Sequence, residues 1–369
     1  MAENFLQPGP VEKKTPEEVG DEYFDELVAR SFFQPRTTQF GEKIFVMHDL
    51  VHDLAMIFAK EFCSRAEEHE KAVEIGTRTR HLSHLAKEDY PISKLLEGID
   101  SSALFELSLT EIVTLPESLG SLYNLQTLKL SSCYSLKMLP GSMQDLVNLR
   151  HLDISYTPLN EMPMGMSKLK SLQFLSNYVV GKHEGNKMRE LGALANLQKS
   201  ICISHLENVV NSNEASEARM CDKDGIDVLK LCWSRTEDEN MVDFQIEKDI
   251  LDKLRPHSNL KELEILGYRG TKFPDWLGHF SYHNITKVTL GILFDLGFRN
   301  CYMLPSLGQL PSLKHLSISS FLRLEIVGAE FYRDDESFLE TPFPMLETLS
   351  FESMPCWKEW CSLEWNAFP

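Results

Sequence analysis

Two histidines in the N-terminal part of the chain have the spacing of a metal-binding pair. His48 and His52 are four residues apart in the segment MHDLVHDL, and each is followed by an aspartate, Asp49 or Asp53. On a helix, residues four apart share one face, so two imidazoles could reach one ion. The segment lacks the glutamate of the H-E-x-x-H zinc motif and the sequence marks no further ligand cluster, so we predict no metal site. A helix with acidic residues in its first turn explains the same pattern.

The same His-Asp pairs could also supply the base of a catalytic site. A base of this kind activates a nucleophile, and no motif in the sequence marks a residue for that role. We therefore predict that the chain is not an enzyme and that it works by binding.

Eight cysteines are scattered along the chain. Their spacings match neither the paired short intervals of a zinc site nor the density of a disulfide scaffold. They are predicted to be free thiols in a reducing compartment. The eight are Cys63, Cys133, Cys202, Cys221, Cys232, Cys301, Cys356 and Cys361.

Net charge and composition narrow the class of protein further. The formal net charge of −18 argues against a general nucleic-acid or anionic-membrane binder, because such proteins concentrate Lys and Arg. Hydrophobic residues make up 43% and charged residues 25%, as in ordinary soluble proteins. The N-terminus shows no signal-peptide pattern, and no run approaches the roughly 18 apolar residues of a membrane span. We expect an intracellular protein, cytoplasmic or alternatively nuclear.

An internal repeat supplies the elements that would position any site. The segment NLQTLKL begins at Asn124, NLRHLDI begins 24 residues later at Asn148, and SLQFL begins a further 23 residues on, at Ser171. Leu-Pro or Met-Pro pairs keep the same interval. Such self-similarity at a fixed period is typical of a solenoid.

The spacing inside one repeat predicts its structure. Leu125, Leu128, Leu130 and Cys133 reproduce the L-x-x-L-x-L-x-x-N/C spacing of a leucine-rich repeat. The alternation predicts a short strand with one buried face, and the following Leu-Pro and polar turn close the coil. Cys133, and Thr157 in the next repeat, are expected where a side chain meets backbone groups of the turn. A single coil cannot bury its leucines alone, so neighbouring coils must stack.

We therefore predict an α/β fold: a leucine-rich-repeat solenoid with a curved parallel β-sheet horseshoe, preceded by a small winged-helix-like α module. Weaker copies of the repeat extend the solenoid to about ten coils. The alternative, a set of amphipathic helices, is disfavoured because helices would not repeat Pro at fixed intervals or alternate with period two. The weaker copies begin at Leu104, Ile201, Val228, Asn259, Asn284, Ser312 and Met345.

The concave face of the horseshoe is the predicted binding surface, because solenoids generally bind partners on that side. Its side chains are the polar residues that alternate with the buried leucines. Any single one of them can equally be an ordinary solvated residue, so the prediction applies to the surface as a whole. The predicted residues are Thr127, Lys129, Ser131, His151, Asp153, Ser155, Glu262, Glu264, His315, Ser317 and Ser319.

Two long segments interrupt the repeat and are predicted to be irregular. They are residues 177–195, which contain three glycines, and the acidic residues 234–249. Loops longer than about 12 residues are usually either functional or disordered, and the sequence leaves both interpretations open.

The first 60 residues carry a different pattern. A helix is predicted over residues 15–31, where Val19, Tyr23 and Leu27 recur at four-residue steps. A short strand is predicted over residues 44–47, followed by a second helix. The order helix, strand, helix suits a winged-helix arrangement. The buried face of the second helix is predicted to carry Leu50, Val51, Leu54, Ile57 and Phe58.

A set of short motifs runs through the chain in a fixed order. Met47-His48-Asp49 stands at the strand-to-helix junction, RHLS begins at Arg80, and two repeats read LPESLGSLYNLQTL and LPSLGQLPSLKHL. The segments YFDELVARSFFQ, FPDW and MPCWKEW complete the set. In this order the motifs resemble plant intracellular immune receptors of the coiled-coil, nucleotide-binding, leucine-rich-repeat group, close to the legume RPP13-like proteins. The resemblance covers nearly the whole chain.

The resemblance implies a role for each part of the chain. In that family the tripeptide matching Met47, His48 and Asp49 is a switch motif that closes the nucleotide-binding NB-ARC module, and its histidine approaches the phosphates of bound ADP. His48 and Asp49 would then be nucleotide-binding residues. The repeats would supply autoinhibitory contacts and recognise a pathogen effector or a guarded host protein in plant defense.

The chain also departs from the family pattern. It contains no G-x-x-x-x-G-K-[ST] phosphate loop, so His48 and Asp49 would form one wall of an incomplete pocket and no ADP or ATP cofactor is expected. The repeats stop at Pro369 without a polar capping coil. We expect a fragment, which the missing NB-ARC part supplied in trans would complete as a partner. Residues 1–75 would be the C-terminal part of NB-ARC, 76–100 a linker, and 101–369 a C-terminally incomplete repeat domain.

Two other functions stay open at this point. The repeats could form a generic protein-interaction scaffold without nucleotide switching. They could also select substrates for a ubiquitin ligase, but that role needs an adaptor-binding helix bundle at the N-terminus, and the winged-helix-like start argues against it.

Overall fold

The computed structural model describes most of the repeat region and parts of the N-terminal module. The described residues are 16–37, 43–59, 63–66, 81–84, 104–107, 112–182, 188–234, 244–291, 298, 300–333 and 341–361.

Short strands dominate the chain, with a few helices between them. The helices are α1 Pro16–Ala29, α2 Asp49–Ala59, α3 Met188–Gly192, α4 Ser212–Ser216 and α5 Phe244–Lys253. The strands are β1 Phe33–Thr37, β2 Lys43–Met47, β3 Cys63–Ala66, β4 His81–His84, β5 Leu104–Leu107, β6 Thr127–Lys129, β7 His151–Asp153, β8 Phe174–Leu175, β9 Asn177–Val179, β10 Lys199–Ser204, β11 Ile226–Cys232, β12 Glu262–Leu266, β13 Lys287–Gly291, β14 His315–Ser319, β15 Ile326–Val327, β16 Thr348–Glu352 and β17 Glu359–Trp360. Segments of 3-10 helix lie at Glu117–Ser121, Gly141–Asp145, Met166–Lys168, Leu206–Asn208, Met220–Asp222, Leu307–Gln309 and Ala329–Phe331.

The strands of the repeats form two long parallel ladders. One sheet has the order β3-β4-β5-β6-β7-β8, and the other has the order β9-β10-β11-β12-β13-β14-β16. In both, each strand pairs in parallel with the strand of the next coil. The predicted leucine-rich-repeat sheet is confirmed, including the two degenerate copies at Ile201 and Val228, which are β10 and β11.

The two ladders meet between β8 and β9, at Ser176. Its backbone N–H donates to Leu152 O at 3.1 Å, and its carbonyl accepts from the N–H of Cys202 at 3.1 Å. Its hydroxyl accepts from the N–H of Ile154 at 2.8 Å. One short stretch of chain therefore ends the first sheet and begins the second.

The core is the interior of the coils, and the leucine spacing determines which residues fill it. Leu125, Leu128 and Leu130 are all 0% exposed. In β12 the same alternation buries Leu263 and Ile265, and the other three residues, Glu262, Glu264 and Leu266, are half-buried. Burying one such side chain stabilises the fold by about 1.5–3 kcal/mol. The burial free energy added over all the repeats therefore stabilises the stacked coils.

Side chains at repeated positions also join one coil to the next. The asparagine that opens the repeat donates from Nδ2 to a backbone carbonyl of the preceding coil. The asparagine bonds are Asn148 to Tyr123 O at 2.9 Å, Asn196 to Lys170 O at 2.8 Å and Asn259 to Asp224 O at 3.2 Å.

A glutamate makes a similar connection between two coils. Glu117 accepts hydrogen bonds from the N–H groups of Gly141 and Ser142, and these bonds lower the pKa of its carboxyl.

The turn after each strand is closed as the repeat spacing predicts. Thr157 donates from its hydroxyl to Ile154 O at 2.6 Å, which satisfies a carbonyl of the turn. Cys133, at the corresponding position of the preceding coil, is buried.

Adjacent coils approach each other very closely on the side away from the sheet. A Cβ atom on Gly192, at the end of α3, would lie 1.9 Å from the carbonyl oxygen of Glu217, which follows α4. A Cβ on Gly308 would lie 2.4 Å from Tyr332 O. Only glycine permits these backbone contacts, because any larger residue would push the coils apart.

A buried polar cluster fixes α5 to the repeats. Glu247, in α5, is 6% exposed. Its carboxylate accepts from Trp233 Nε1 at 2.6 Å and from the Arg269 guanidinium at 2.7 Å. Burial raises the pKa of Glu247, although Arg269 and Trp233 act in the opposite direction. Since Trp233 follows β11 and Arg269 follows β12, the carboxylate ties α5 to two neighbouring coils.

Lys223 is a buried cation that caps helical carbonyls. It is 2% exposed, and its Nζ donates to Leu191 O at 3.1 Å and to Leu194 O at 2.6 Å. Burial lowers the pKa of Lys223 to about 8, and the charge of Arg219 acts in the same direction.

This shift predicts a pH-dependent stability. The unfolded chain holds the lysine proton up to its ordinary pKa of about 10.4, so between pH 8 and 10 the unfolded state binds more protons than the folded state. The free energy of unfolding should therefore rise with pH in this window by about 1 kcal/mol per unit relative to a Lys223→Met variant. Urea unfolding of both chains at pH 7, 8, 9 and 10 measures the difference. Parallel pH profiles for the two chains would contradict it.

The two segments predicted to be irregular are partly ordered, so that prediction was wrong in part. Residues 177–179 form β9, residues 188–192 form α3, and α5 begins at Phe244. The helix α5 buries Ile250, Leu251 and Leu254, whose helical spacing follows directly after the acidic run. Residues 183–187 and 235–243 lie outside the described residues.

The parallel ladder also begins earlier in the chain than expected. Strand β3, at residues 63–66, pairs with β4, at residues 81–84, and β4 pairs with β5. Strand β4 falls inside the segment 76–100 that we expected to be a linker. Neither strand carries the full leucine spacing, so the repeat pattern did not predict them. Pairing with a neighbouring strand can order a segment that has no repeat motif of its own.

The N-terminal module contains α1, a β1–β2 antiparallel hairpin and α2. Strand β1 was not predicted. Pro35 lies within it, and proline is unfavourable in all but edge strands. The ring of Phe24 in α1 packs on Phe33 at 5.3 Å and on Phe45 at 4.8 Å, which joins the helix to the hairpin.

The predicted buried face of α2 was wrong for two residues. Leu50 is 74% and Leu54 is 54% exposed, and Val51 is half-buried. Hydrophobic periodicity shows which side chains share a helix face, but it does not show whether a surface covers that face. The side chains of Ile57 and Phe58 lie outside the described residues.

Candidate functional site

The tripeptide Met47-His48-Asp49 joins β2 to α2. His48 is exposed, and its Nδ1 accepts a hydrogen bond from the N–H of Leu50 at 3.3 Å. Its carbonyl accepts from the N–H of His52 at 2.8 Å, which is the first bond of the helix. The imidazole thus caps the N-terminus of α2, and Asp49 stands in the first turn of the helix.

The two histidines with metal-binding spacing are both exposed, His48 directly before α2 and His52 within it. The side chain of His52 is 60% exposed, and its Nδ1 lies 3.6 Å from Asp53 Oδ1. Within the described part of the chain, no group of three or more His, Cys, Asp or Glu side chains is placed to hold a metal ion.

The concave face is defined here as the side chains of the parallel strands that alternate with buried core residues. In its N-terminal part, Thr127 pairs with His151 and Lys129 pairs with Asp153 across β6 and β7. Thr127 is 5% exposed, so it contributes little accessible surface. The ring of His151 stacks on Phe174 at 5.1 Å.

Beyond these strands, Ser131 and Ser155 follow β6 and β7 at the same edge of the sheet, and both are half-buried. The Asp153 carboxylate accepts from the N–H of Ser155 at 3.0 Å and from its hydroxyl at 2.7 Å.

Opposite charges alternate across the middle of the concave face. Lys230 Nζ lies 3.0 Å from Glu264 Oε2, and Lys287 Nζ lies 3.2 Å from Glu262 Oε2. Each pair joins residues in register on neighbouring strands of β11, β12 and β13. Burial lowers the pKa of Lys230, but the hydrogen bond and charge of Glu264 outweigh it and raise the pKa overall. Exposed ion pairs of this kind contribute at most about 1 kcal/mol to stability, so a bound partner can replace them with its own charged groups at little cost in free energy.

Small hydroxyl side chains cover the C-terminal part of the concave face. Thr289, Ser317 and Ser350 pair in register across β13, β14 and β16. His315 is exposed, and its Nδ1 lies 2.9 Å from Thr348 Oγ1. Ser319 pairs with Glu352 in the adjoining row. Short side chains make this part of the surface shallow, with donors and acceptors close to the strands.

The predicted concave residues lie in or directly after strands of the two parallel ladders, and the same ladders carry several more residues of this kind that sequence analysis missed. Five of the added residues alternate with buried Ile or Leu in the degenerate repeats of β10 and β11, so the period-two pattern in ICI and VLKL was a usable signal for them. The other four lie in β13 and β16. The added residues are Ser200, Cys202, Ser204, Lys230, Cys232, Lys287, Thr289, Thr348 and Ser350.

This surface is suited to binding a protein segment. Its charged side chains are of both signs and half-exposed, and its backbone N–H and C=O groups are used in the hydrogen bonds between the parallel strands.

No helix among the described residues is long and apolar enough to cross a membrane.

Two family models match the chain. The model of the disease resistance protein winged helix domain matches residues 1–55, and the model of the R13L1/DRL21 leucine-rich repeats matches residues 188–321. The first match includes the hairpin and the beginning of α2, and the second includes β10 to β14.

Curated relatives are similar over most of the chain. A disease resistance protein of Arabidopsis thaliana is 36% identical over 96% of this chain and 29% of its own length. Disease resistance RPP13-like protein 1 of Arabidopsis thaliana is 34% identical over 98% of this chain and 39% of its own length. Disease resistance protein RGA2 of Solanum bulbocastanum is 35% identical over 82% of this chain and 33% of its own length. The chain thus spans about a third of the length of these relatives.

Proposed function

The chain belongs to the plant disease resistance proteins with a winged helix and leucine-rich repeats, and on that premise we propose that it is the recognition part of an intracellular immune receptor. Members of this family are receptors and not enzymes. In this proposal the concave face binds a pathogen effector or a guarded host protein in the cytoplasm or the nucleus.

The observation that carries the proposal is the continuous row of accessible polar side chains on the repeats. From β10 to β16 the row runs across six strands in register, with Cys202, Lys230, Glu264, Thr289, Ser317 and Ser350 as successive members. A folding requirement alone would not select two oppositely charged pairs side by side, because exposed pairs contribute little to stability. Such a pattern favours a partner with complementary mixed charge.

The N-terminal junction supports a second part of the proposal. His48 is exposed at the N-terminus of α2, where the helix dipole favours a negatively charged group such as a phosphate. His48 and Asp49 would contact ADP when the remaining NB-ARC segments stand beside them, and Met47-His48-Asp49 would act as the switch motif.

Charge reversal on the concave face tests the recognition proposal. A double variant, Asp153→Lys with Glu262→Lys, should lower the recovery of specific partners in proximity labelling from leaf tissue by about tenfold or more, which corresponds to a loss of about 1.4 kcal/mol. Reversal at Glu262 places a second cation beside Lys287, and it therefore disturbs the charge pattern directly.

The matched control is Asp145→Lys with Asp275→Lys, which makes the same change in net charge at exposed positions outside the parallel strands. The control should retain the wild-type set of labelled proteins. Equal losses in both variants, at equal thermal stability, would argue against the concave face as the recognition surface.

A further inference from the structure

Two cysteines lie side by side on the concave face. Cys202, in β10, pairs in register with Lys230, two residues before Cys232 at the end of β11. The two Sγ atoms are 3.6 Å apart. Cys202 is half-buried and Cys232 is 4% exposed. One thiol is thus accessible to small solutes, and the other is within reach of the first.

The surroundings favour the charged form of the accessible thiol. The hydrogen bond from the Cys232 thiol lowers the pKa of Cys202, and the charge of Lys230 acts in the same direction against burial and Glu264. The pKa of Cys232 is raised, because it is the donor in that hydrogen bond and because it is buried. The two thiols therefore differ: Cys202 is the accessible one and has the lowered pKa, whereas Cys232 is buried and has the raised pKa.

Other described cysteines have different surroundings. Cys221 is exposed, but its thiol faces Asp222 at 3.5 Å, and burial together with this carboxylate raises the pKa of Cys221. Cys301 is fully buried and donates to Gly270 O at 2.9 Å. The charge of Arg255 also acts on Cys221, but burial and Asp222 outweigh it, and burial raises the pKa of Cys301.

We propose that Cys202 and Cys232 form a modification site that hydrogen peroxide converts to a disulfide across β10 and β11. The Cys202 thiolate attacks one peroxide oxygen, the O–O bond breaks, and the products are a sulfenic acid and hydroxide. The hydroxide takes up the proton that the Cys202 thiol had released and becomes water. The Cys232 sulfur then attacks the Cys202 sulfur, the S–O bond breaks, and a second water leaves with the Cys232 proton. In sum, two thiols and one peroxide give one disulfide and two waters.

The position of the pair explains why the change would be reversible and would alter the surface. Neighbouring strands lie about 4.8 Å apart and two residues along a strand rise by about 6.6 Å, so Cα atoms on this diagonal are about 8 Å apart, whereas a relaxed disulfide requires about 4.4–6.8 Å. Closing the bond must therefore draw β10 and β11 together and displace Lys230, which lies opposite Cys202 and two residues before Cys232 on β11. A strained disulfide is reduced readily, so cellular thiols would reopen it.

The experiment is peroxide titration of the full chain followed by peptide mass spectrometry. In wild type we expect a cross-linked peptide pair containing Cys202 and Cys232, two hydrogens lighter than the reduced peptides, and its disappearance on adding glutathione. In Cys232→Ser, Cys202 should accumulate sulfenic acid that dimedone traps, and Cys202→Ser should give neither product. Dimedone should label Cys202 about tenfold faster than Cys221 in the Cys232→Ser chain.

The matched control is Cys221→Ser, which should cross-link like wild type. Two results would overturn the proposal: oxidation of Cys221 before any cross-link at Cys202, or an equal cross-link yield in urea-unfolded chain. Circular dichroism of each serine variant shows whether it is folded, and the dimedone labelling of Cys232→Ser supplies a second readout that needs no disulfide. The assay contains no partner protein, so its failure would leave the recognition proposal unaffected.

Discussion

Replacing Glu247 with alanine is expected to lower the free energy of unfolding by about 3–5 kcal/mol. The carboxylate pairs with Arg269, whose side chain is 17% exposed, and accepts the indole N–H of Trp233, which is fully buried. Its removal leaves a largely buried guanidinium without its carboxylate and a buried donor without its acceptor. Urea unfolding followed by tryptophan fluorescence measures the loss.

Two companion variants separate this cluster from a general effect on α5. Asp252→Ala, an exposed carboxylate in the same helix, should change stability by no more than about 0.5 kcal/mol. Glu247→Gln keeps an acceptor for Trp233 but removes the charge, so its loss should fall between the other two. A loss at Glu247→Ala no larger than that of Asp252→Ala would show that the cluster does not hold α5 in place.

Replacing Gly192 with alanine should destabilise the fold by about 3 kcal/mol, at the upper end for overpacking. The added methyl group would stand 1.9 Å from the carbonyl oxygen of Glu217, and a backbone atom cannot rotate away as a side chain can. The coil that contains α3 and the coil that contains α4 must separate to admit it. Thermal unfolding of the variant measures the loss.

Gly141→Ala is the matched control for this prediction. The nearest atom to a Cβ at Gly141 is Glu117 Oε1 at 3.9 Å, which is ordinary contact. The hydrogen bond from the N–H of residue 141 to Glu117 is kept in alanine. Similar stabilities for the two variants would mean that the coils at Gly192 adjust their spacing easily.

The repeat carried most of the fold prediction because its physical requirement is local. Leu125, Leu128 and Leu130 have to be buried together, and a parallel strand that faces a stacked neighbour is the arrangement that does so. The same reasoning applied to the degenerate copies, where Ile201, Ile203, Leu229 and Leu231 keep the alternation without the full motif. Period two was therefore sufficient where the motif was incomplete.

Other features depend on contacts that no local pattern records. The exposure of Leu50 depends on which surface stands opposite α2, and strand β4 depends on its neighbours β3 and β5. The buried cluster at Glu247 joins residues from three separate segments, and the acidic run in the sequence gives no sign that one of its own carboxylates will be buried beside Arg269.

The candidate site was predictable as a surface and not as a set of pairs. Alternation placed Glu262 and Glu264 on the outer side of β12, and the structure agrees. Whether Lys287 and Lys230 face these glutamates depends on the register between neighbouring strands, and the coils that set this register differ in length. The charge pairs therefore could not be derived from the sequence of one repeat. The contact between Cys202 and Cys232 is hidden for the same reason, since 30 residues of chain separate them.

The junction at Ser176 has a consequence for how the solenoid loses structure. In a linear array, stability is a sum over neighbouring units, and cooperativity extends only as far as the coupling between them. Strands β8 and β9 have two and three residues, against five to seven in β10 to β14, so the coupling at this junction is weaker than between the strands β10 to β14. Amide protons on the two sides of residue 176 should exchange as two separate groups. Under stress the array would divide into a folded half and an unfolded half at this point, and a ligand on β10 to β14 would protect only its own half.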